Sequence, residues 1–307
     1  METMKPSIEE LEAHIGVVKC GSVTAAAKQL RTTKSVVSKR LQSLEYKLGG
    51  SLFHRTGRSM IATDTGSEVY DMAVKLISDM NQLVDNVVSR SGKLQGTVRM
   101  SAPVSFGNLY INPLIADFMA IHPNIKVTLD LDDRFIDLRA GNYDFSIRIG
   151  RLKDSGLKAR KMANSKRGIF CSPDYAATRG KPESLEQLAD HDCLGYANAT
   201  SGHIWKFESL NGTKTQALSL SARLLSNSGE ALKAAAMRGV GIAALPHFMI
   251  CNELRNGSLK EIVFPQWRLM SDSVYALYPD SIALSNKART LIDFIISHMQ
   301  PSEPWAI

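Results

Sequence analysis

Between residues 7 and 19 the apolar positions Ile8, Leu11, Ile15 and Val18 recur at spacings of three, four and three, the period of a helix with one buried face. Gly21 ends that run, and Ser22 has a side chain suited to cap another. The next apolar side is short: Ala26, Ala27 and Leu30, over about 23–30. Small alanines there allow a neighbouring helix to approach closely. The periodicity then breaks over a few polar and basic residues. It restarts from Lys34-Ser35 with Val37, Leu41, Leu44 and Leu48, spaced four, three and four, before Gly49-Gly50. The pattern predicts helix, short turn, helix, and not one interrupted helix. In "SLFHRTGRSMIATDTG", which follows, Leu52 and Phe53 read as buried. "RTGRS" reads as a polar turn between two short alternating stretches, so a two-stranded wing tipped with Arg55 and Arg58 is expected.

From Thr63 or Asp64 to Ser91-Gly92 a different pattern holds. Val69, Ala73, Leu76, Met80, Leu83 and Val87 form a heptad seam spaced four, three, four, three, four. About 26 residues at ~1.5 Å each predict a rod of roughly 40 Å. So long a stripe is covered most simply by a second copy, which makes a homodimer the expectation. The alternative is a long helix packed on its own domain. Beyond residue 92 the chain alternates strands and helices. Strands are predicted at 97–103, 125–132, 143–150, 158–163, 167–172, 217–222, 241–245 and 273–278. Helices are predicted at 105–123, 134–141, 184–190, 229–239, 246–255 and 285–299. This is an α/β pattern with mainly parallel sheets expected, and it is long enough for two lobes.

A length of 307 residues suits about two domains, and 44% hydrophobic with 22% charged residues is ordinary for a globular protein. Read as uninterrupted runs, no apolar stretch reaches the ~18 residues of a membrane span. "VGIAALPHFMIC" at 240–251 is broken by Pro246. The opening "METMKPSIEELEAH" has no apolar core of an export signal, so a cytoplasmic location and no membrane partner are expected. Cys20, Cys171, Cys193 and Cys251 are widely spaced, which signals neither a disulfide framework nor a metal site. No cofactor is indicated either.

Charge sharpens the reading of the N-terminal helices. The net charge is +7. Residues 28–58 hold Lys28, Arg31, Lys34, Lys39, Arg40, Lys47, Arg55 and Arg58 against Glu45 alone, so the whole excess lies there. A polyanion partner, nucleic acid first, follows from that footprint, with a merely solvated basic face as the bland alternative. Ser38, Lys39 and Arg40 sit near the start of the third helix and off its apolar seam. Cations reach phosphates, and hydroxyls reach phosphates or base edges, as a helix in the major groove requires.

Residues 8–66 resemble the winged helix-turn-helix of LysR-type transcriptional regulators. The matching pieces are Ala25-Ala26-Ala27, Leu30, Ser35, Val37-Ser38, Leu41, Leu44-Glu45, Leu48-Gly49, Leu52-Phe53, Arg55 and Thr63…Gly66. The resemblance implies a helix-turn-helix over about Val23 to Gln42. Its contacts to double-stranded DNA would come from Thr33, Lys34, Ser35, Ser38, Lys39 and Arg40, with Arg55 and Arg58 on the wing. It also implies a dimer of dimers. Two positions depart from the pattern. Arg31 stands where the turn usually has Gly, and Thr32 where an aliphatic residue is usual. A non-glycine residue at positive φ costs ~1 kcal/mol, and a hydroxyl in an apolar seam needs a partner.

The C-terminal segment carries no G-x-S-x-G, P-loop, H-E-x-x-H or G-x-G-x-x-G pattern. Binding fits it better than catalysis. "SAPVSFG" places Ser105 at a strand-to-helix junction, and "SNSGEALKAAAMRG" places Ser226, Asn227 and Ser228 in the same setting. Helix starts of this kind hold small anions, although a plain cap is the simpler reading of each. Arg148 in "DFSIRIG" is a cation inside an apolar strand. "SFGNLYINPLIADFMAIHPN…" and "SNSGEALKAAAMRGVGIAALPHFM" resemble the effector domain of the same family. The likeness is to the branch of the neisserial adhesion and aromatic-acid-efflux regulators. The resemblance implies two lobes of the periplasmic-binding-protein type II kind, lobe I about 94–163 plus 270–300 and lobe II about 164–269. An effector cleft would lie between them, with Ser105, Phe106, Arg148 and Asn227 as its residues.

The expected organisation is a DNA-binding domain at 1–66, a linker helix at 67–91 and an effector domain at 92–307. The expected function is transcription regulation by a small, carboxylated effector. The alternative is a cytoplasmic two-lobed α/β enzyme with an oligomerising helical segment.

Overall fold

In the computed structural model α1 (Ile8–Cys20) opens on a reciprocal cap. Glu10 N–H donates to Ser7 Oγ, and Ser7 N–H donates to the Glu10 carboxylate. Gly21, at φ 66°, ends the helix, and α2 (Val23–Gln29) begins on the Ser22 cap. Thr33 caps α3 (Lys34–Leu48), which ends at left-handed Gly49. The structure describes residues 5–56, 59–89, 94–134, 138, 143–151, 156–197, 204–279, 284–299 and 305. They divide into two compact units, one holding the residues through Ser89 and the other holding Leu94–Pro279 and the residues from Asn286 on.

The break after Leu30 is a helix-ending turn with both of its bonds made. Arg31 N–H donates to Lys28 O at 3.3 Å and Thr32 N–H to Ala27 O at 2.9 Å. This paired closure requires a left-handed residue after the cap. Arg31 fills that position at φ 51° and is the one non-glycine residue with positive φ among those described. Thr32 is half-exposed, so its hydroxyl is not forced into the apolar seam.

The three helices close over one core. Leu11, Ala13 and Val17 meet Ala26, Ala27, Val37, Leu41 and Leu44, with Leu52 and Phe53 below. Each fully buried Leu or Val contributes ~1.5–3 kcal/mol. The wing pairs β1 (Phe53–Thr56) with β2 (Ser59–Ala62) antiparallel, Thr56 opposite Ser59. Thr63 Oγ1 then accepts Gly66 N–H at 2.9 Å and starts α4 (Asp64–Ser89). Gly66 is obligatory there, because a Cβ would stand 2.1 Å from Leu52 O.

The heptad seam of α4 is not one uniform stripe. Val69 and Ala73, with Ile77, pack on the core of their own unit. Leu76, Met80 and Leu83 are 50%, 42% and 65% exposed. Val87 lies in the part of α4 whose side chains are outside the described set.

The second unit contains two five-stranded sheets. The first, β4-β3-β5-β15-β6, comprises β3 (Gly96–Ala102), β4 (Ile125–Leu131), β5 (Phe145–Gly150), β6 (Leu157–Ser165) and β15 (Asp272–Pro279). The second, β11-β8-β12-β7-β13, comprises β7 (Arg167–Cys171), β8 (Cys193–Tyr196), β11 (Ala222–Ser226), β12 (Ile242–Pro246) and β13 (Lys260–Glu261). In each, two of the four strand pairings are parallel and two antiparallel, because one strand, β15 in the first sheet and β7 in the second, runs against the other four; the sheets are mixed, not mainly parallel as expected. The reason is connectivity: the opposed strand in each sheet is the one by which the chain crosses in from another sheet, β15 after β14 and β7 after β6. A third sheet, β10-β9-β14, uses β9 (Ile204–Ser209), β10 (Thr215–Ser219) and β14 (Trp267–Leu269).

Helix α5 (Val104–Ile121) carries one π turn at Gly107–Ile111. By length and composition it is long and apolar enough to cross a membrane, which reading the sequence as uninterrupted runs missed. Here it packs Ile111, Ile115 and Phe118 inward, and Phe118 meets Phe294 of α9 (Asn286–Met299). Further helices are α6 (Pro173–Arg179), α7 (Gly229–Met237) and α8 (Cys251–Arg255). The predicted helix 246–255 is broken into a 3₁₀ turn, His247–Met249, and α8, and 184–190 is a 3₁₀ turn at Glu186–Asp190. The predicted strand 217–222 is divided between β10 and β11, and the predicted helix 134–141 lies outside the described residues except Arg134 and Leu138.

Candidate nucleic-acid interface and ligand cleft

In the first unit the start of α3 carries Thr33, Lys34, Ser35 and Val36 exposed, with no acidic residue in its first turn. Thr33 Oγ1 accepts Val36 N–H at 3.4 Å and meets Ser35 Oγ at 3.0 Å, so the cap holds the Ser35 hydroxyl beside the helix start. Lys39 is exposed one turn on, and Ser38 and Arg40 are half-buried beside it. Thr33, Lys34, Ser35 and Val36 lie at the positive end of the helix dipole, and Lys39 and Arg40 add cations one turn on, a surface suited to anionic oxygens. Arg55 lies in β1 opposite Met60, and Arg58 falls outside the described residues.

Lys47, counted above with the basic run, leaves this surface. Its Nζ donates to both Glu10 oxygens, at 2.8 and 2.9 Å, and Ser43 Oγ donates to the same carboxylate at 2.6 Å. Burial pushes the Glu10 carboxyl up, but Lys47 and Ser43 outweigh it and hold the carboxyl below its ordinary range. The pair joins α1 to α3.

In the second unit a cleft of about 490 Å³ lies between the two five-stranded sheets. Its floor is made where parallel strands end: Ser105 follows β3, Asp133 follows β4, Gly150 ends β5 and Tyr196 ends β8. Ligands gather at the carboxyl ends of parallel strands because the connecting loops diverge there. Ser105, Phe106 and Arg148 all line the cleft. The Phe106 ring is fully buried against Tyr110, Phe248 and Trp305, so it offers the cleft its backbone more than its ring. Asn227 does not line it. Ser228 caps α7, Ser226 Oγ accepts Ser228 N–H, and Asn227 between them is exposed to solvent.

Charge in the cleft is asymmetric. Arg148 Nη1 donates to Asp132 O at 2.9 Å, while Nη2 is buried without a hydrogen-bond partner in the described structure. Burial lowers the Arg148 pKa, and the carboxylates of Asp132 and Asp133 oppose that. The Asp132 carboxylate is itself taken by Arg134, which holds it down at about 2. Asp133 Oδ1 accepts Val104 N–H at 3.0 Å, so one amide of the α5 start already has an anion. The next N–H groups, of Ser105 and Phe106, have no acceptor within the helix. Arg167 and Asp272, 3.7 Å apart, stand where β7 and β15 begin, at the two points where the chain crosses between sheets. Sequence reasoning missed Asp133, Arg167, Asp272 and Tyr196. The strand-end rule would have found Asp133 and Tyr196, since Asp133 stands two residues past the end of β4 and Tyr196 closes β8.

Residues 8–67 match the model of the bacterial regulatory helix-turn-helix protein, lysR family, and residues 91–300 match the LysR substrate binding domain. The HTH-type transcriptional regulator CrgA of Neisseria meningitidis is 30% identical over 296 residues, covering 96% of this chain and 98% of that protein. The HTH-type transcriptional activator TtdR of Escherichia coli K12 is 30% identical over 296 residues, covering 96% and 94%. The solved structure of CrgA superposes with a TM-score of 0.61 at 29% identity, covering 97% of this chain and 100% of that one. The Vibrio cholerae virulence activator AphB superposes with a TM-score of 0.60 at 26% identity, covering 95% and 99%.

Proposed function

We propose, for a chain that belongs to the LysR family of transcriptional regulators, that a small carboxylated molecule bound in the cleft of the second unit controls how its helix-turn-helix occupies DNA. The chain is a regulator with a DNA-binding helix-turn-helix and an effector-binding domain. Its relatives are named as regulators, so the reading of a two-lobed enzyme is set aside. In this proposal residues 1–66 bind double-stranded DNA, 67–91 join two copies, and 92–307 receive the effector. The effector domain divides into lobe I, about 94–163 plus 270–300, and lobe II, about 164–269. Lys34, Ser35, Ser38, Lys39 and Arg40 contact the major groove, with Thr33 as cap and Arg55 and Arg58 toward the flanking backbone. The protein works in the cytoplasm, where its DNA is.

The observation that carries the effector class is Arg148. A guanidinium on a residue that lines a cleft, with one nitrogen buried and without a hydrogen-bond partner among the described residues, calls for an anionic oxygen. Ser105, which lines the same cleft after the neighbouring strand β3, adds a hydroxyl and a helix-start N–H for the same anion. The exposed run of Leu76, Met80 and Leu83 on α4 supports a homodimer, and two such dimers make the expected tetramer.

The test is a footprint across the DNA upstream of the protein's own gene, with and without small carboxylates. The wild type is expected to change its footprint with a cleft-binding ligand. Ser105→Ala is expected to bind DNA as before and to need ~10-fold more ligand, the effect of one charge-assisted hydrogen bond. If ligands that bind the cleft leave the footprint and the scattering profile of the complex unaltered, effector control through the cleft is wrong.

A further inference from the structure

We infer that Arg31, in the turn between α2 and α3, is a phosphate-binding residue of the DNA interface, and that this contact is why the turn carries arginine in a left-handed conformation. The inference rests on the DNA reading above and adds to it a residue that reading does not use.

Four observations converge. Arg31 is the one described non-glycine residue at positive φ, in a turn whose two hydrogen bonds are both backbone bonds. Nothing in the folding of the turn therefore needs its side chain, and glycine would make the same bonds without strain. The side chain is exposed and makes no ion pair or hydrogen bond with the described residues. It stands two positions before the Thr33 cap, so it flanks the exposed Lys34, Ser35 and Val36 at the helix start. Finally, from Ala13 to Leu44 the sequence contains neither Asp nor Glu, so no acidic residue of α2, the turn or the start of α3 opposes the cation. Lys28 and Lys34, exposed on either side, complete a cationic rim around the turn. Strain retained at an exposed position with no internal partner marks a site held for an external one. A helix that enters the major groove by its N-terminus brings the preceding turn to the sugar–phosphate wall, where a long cation meets phosphate and no base edge.

The experiment measures binding of full-length protein to two duplexes of ~40 base pairs, one from upstream of its gene and one scrambled, from 50 to 200 mM salt. Arg31→Gly is expected to raise the midpoint of chemical denaturation, because the strain is released. The same variant is expected to bind both duplexes about fivefold more weakly at 0.15 M salt, with the slope of log K against log salt shallower by about 0.9, one phosphate contact. Arg31→Lys keeps the charge and the strain, and is expected to keep most of the affinity. An Arg31→Gly protein that binds both duplexes with unchanged affinity and slope overturns the inference. So does a loss confined to the matched duplex, which would make Arg31 a base-reading residue. Lys39→Ala is measured alongside: if it too leaves both duplexes and the slope untouched, the fault lies with the DNA reading of α3 and not with Arg31 alone.

Discussion

His14 shows how much one side chain can be asked to hold. It is fully buried in α1, its Nε2–H donates to Gly66 O at 2.9 Å, and its ring lies 5.0 Å from that of Phe53. One imidazole thus joins α1, the wing and the first turn of α4. Burial lowers its pKa, and the Gly66 carbonyl opposes this only in part. The folded state therefore keeps the ring neutral where the unfolded chain, near the ordinary ~6.5, takes up a proton. The stability contributed is complete above that value and is lost as pH falls through 6.5 toward the lower folded value. Hydrogen exchange of α1 and the start of α4 should thus accelerate between pH 7.5 and 5.5 beyond the intrinsic pH effect, and His14→Gln should remove the excess. The same scale holds the positions that sequence could and could not read. The strain at Arg31 was legible because a turn must exist there and only one residue is placed to be left-handed. Asn227 stands outside the cleft lining: of three consecutive polar residues at a helix start that look equivalent in sequence, Ser228 takes the cap and Asn227 is exposed.

At the scale of elements, the pair of Lys47 and Glu10 matters more than its contribution to surface charge. Both side chains are largely buried between α1 and α3. Removing one partner leaves the other charged and desolvated, which costs more than the pair contributes. Lys47→Met is expected to destabilise the first unit by about 2–3 kcal/mol. Adding Glu10→Leu should restore much of that loss, a coupling that a double-mutant cycle in urea measures directly. Elements with a sustained apolar period were legible: α1, α3, α4, α5 and α9 each repeat one face over three turns or more. The short strands β8, β9, β11, β13 and β14 were not. β13 and β14 have two and three residues, and β8 has four that are buried or nearly so, which leaves no alternation to see. α6 was also missed, although Ser172 followed by Pro173 is a helix-start signal that the sequence does display. The seam of α4 read correctly as a period but not as a surface. Sequence spacing cannot say that its first turns are spent on the core of their own unit while Leu76, Met80 and Leu83 are left outside.

At the scale of the whole molecule, the ligand cleft conflicts with stability. A cation in Arg148's place is costly: its burial lowers its pKa, its Nη1 reaches only a carbonyl, and its Nη2 reaches nothing among the described residues. Replacing such a charge with an apolar side chain of similar length is commonly neutral or stabilising. Arg148→Met should therefore leave the thermal midpoint of the protein unchanged or raise it by a few degrees, about 2–4 °C per kcal/mol for a domain of this size. It should bind DNA as the wild type does in the absence of ligand, because it belongs to a different compact unit from α3 and the wing. Its response to carboxylates should fall by at least ~10-fold, the loss of one charge-assisted contact in a partly dry site. A variant that retains the charge tests the geometry: Arg148→Lys keeps a cation but not the fork, and should recover only part of the response. The combination of equal or greater stability with lost response is what separates a residue kept for a ligand from one kept for the fold. A fall of several degrees with the response intact would place Arg148 among the structural residues and leave the effector's anchor to be sought at Ser105 and the Arg167–Asp272 pair.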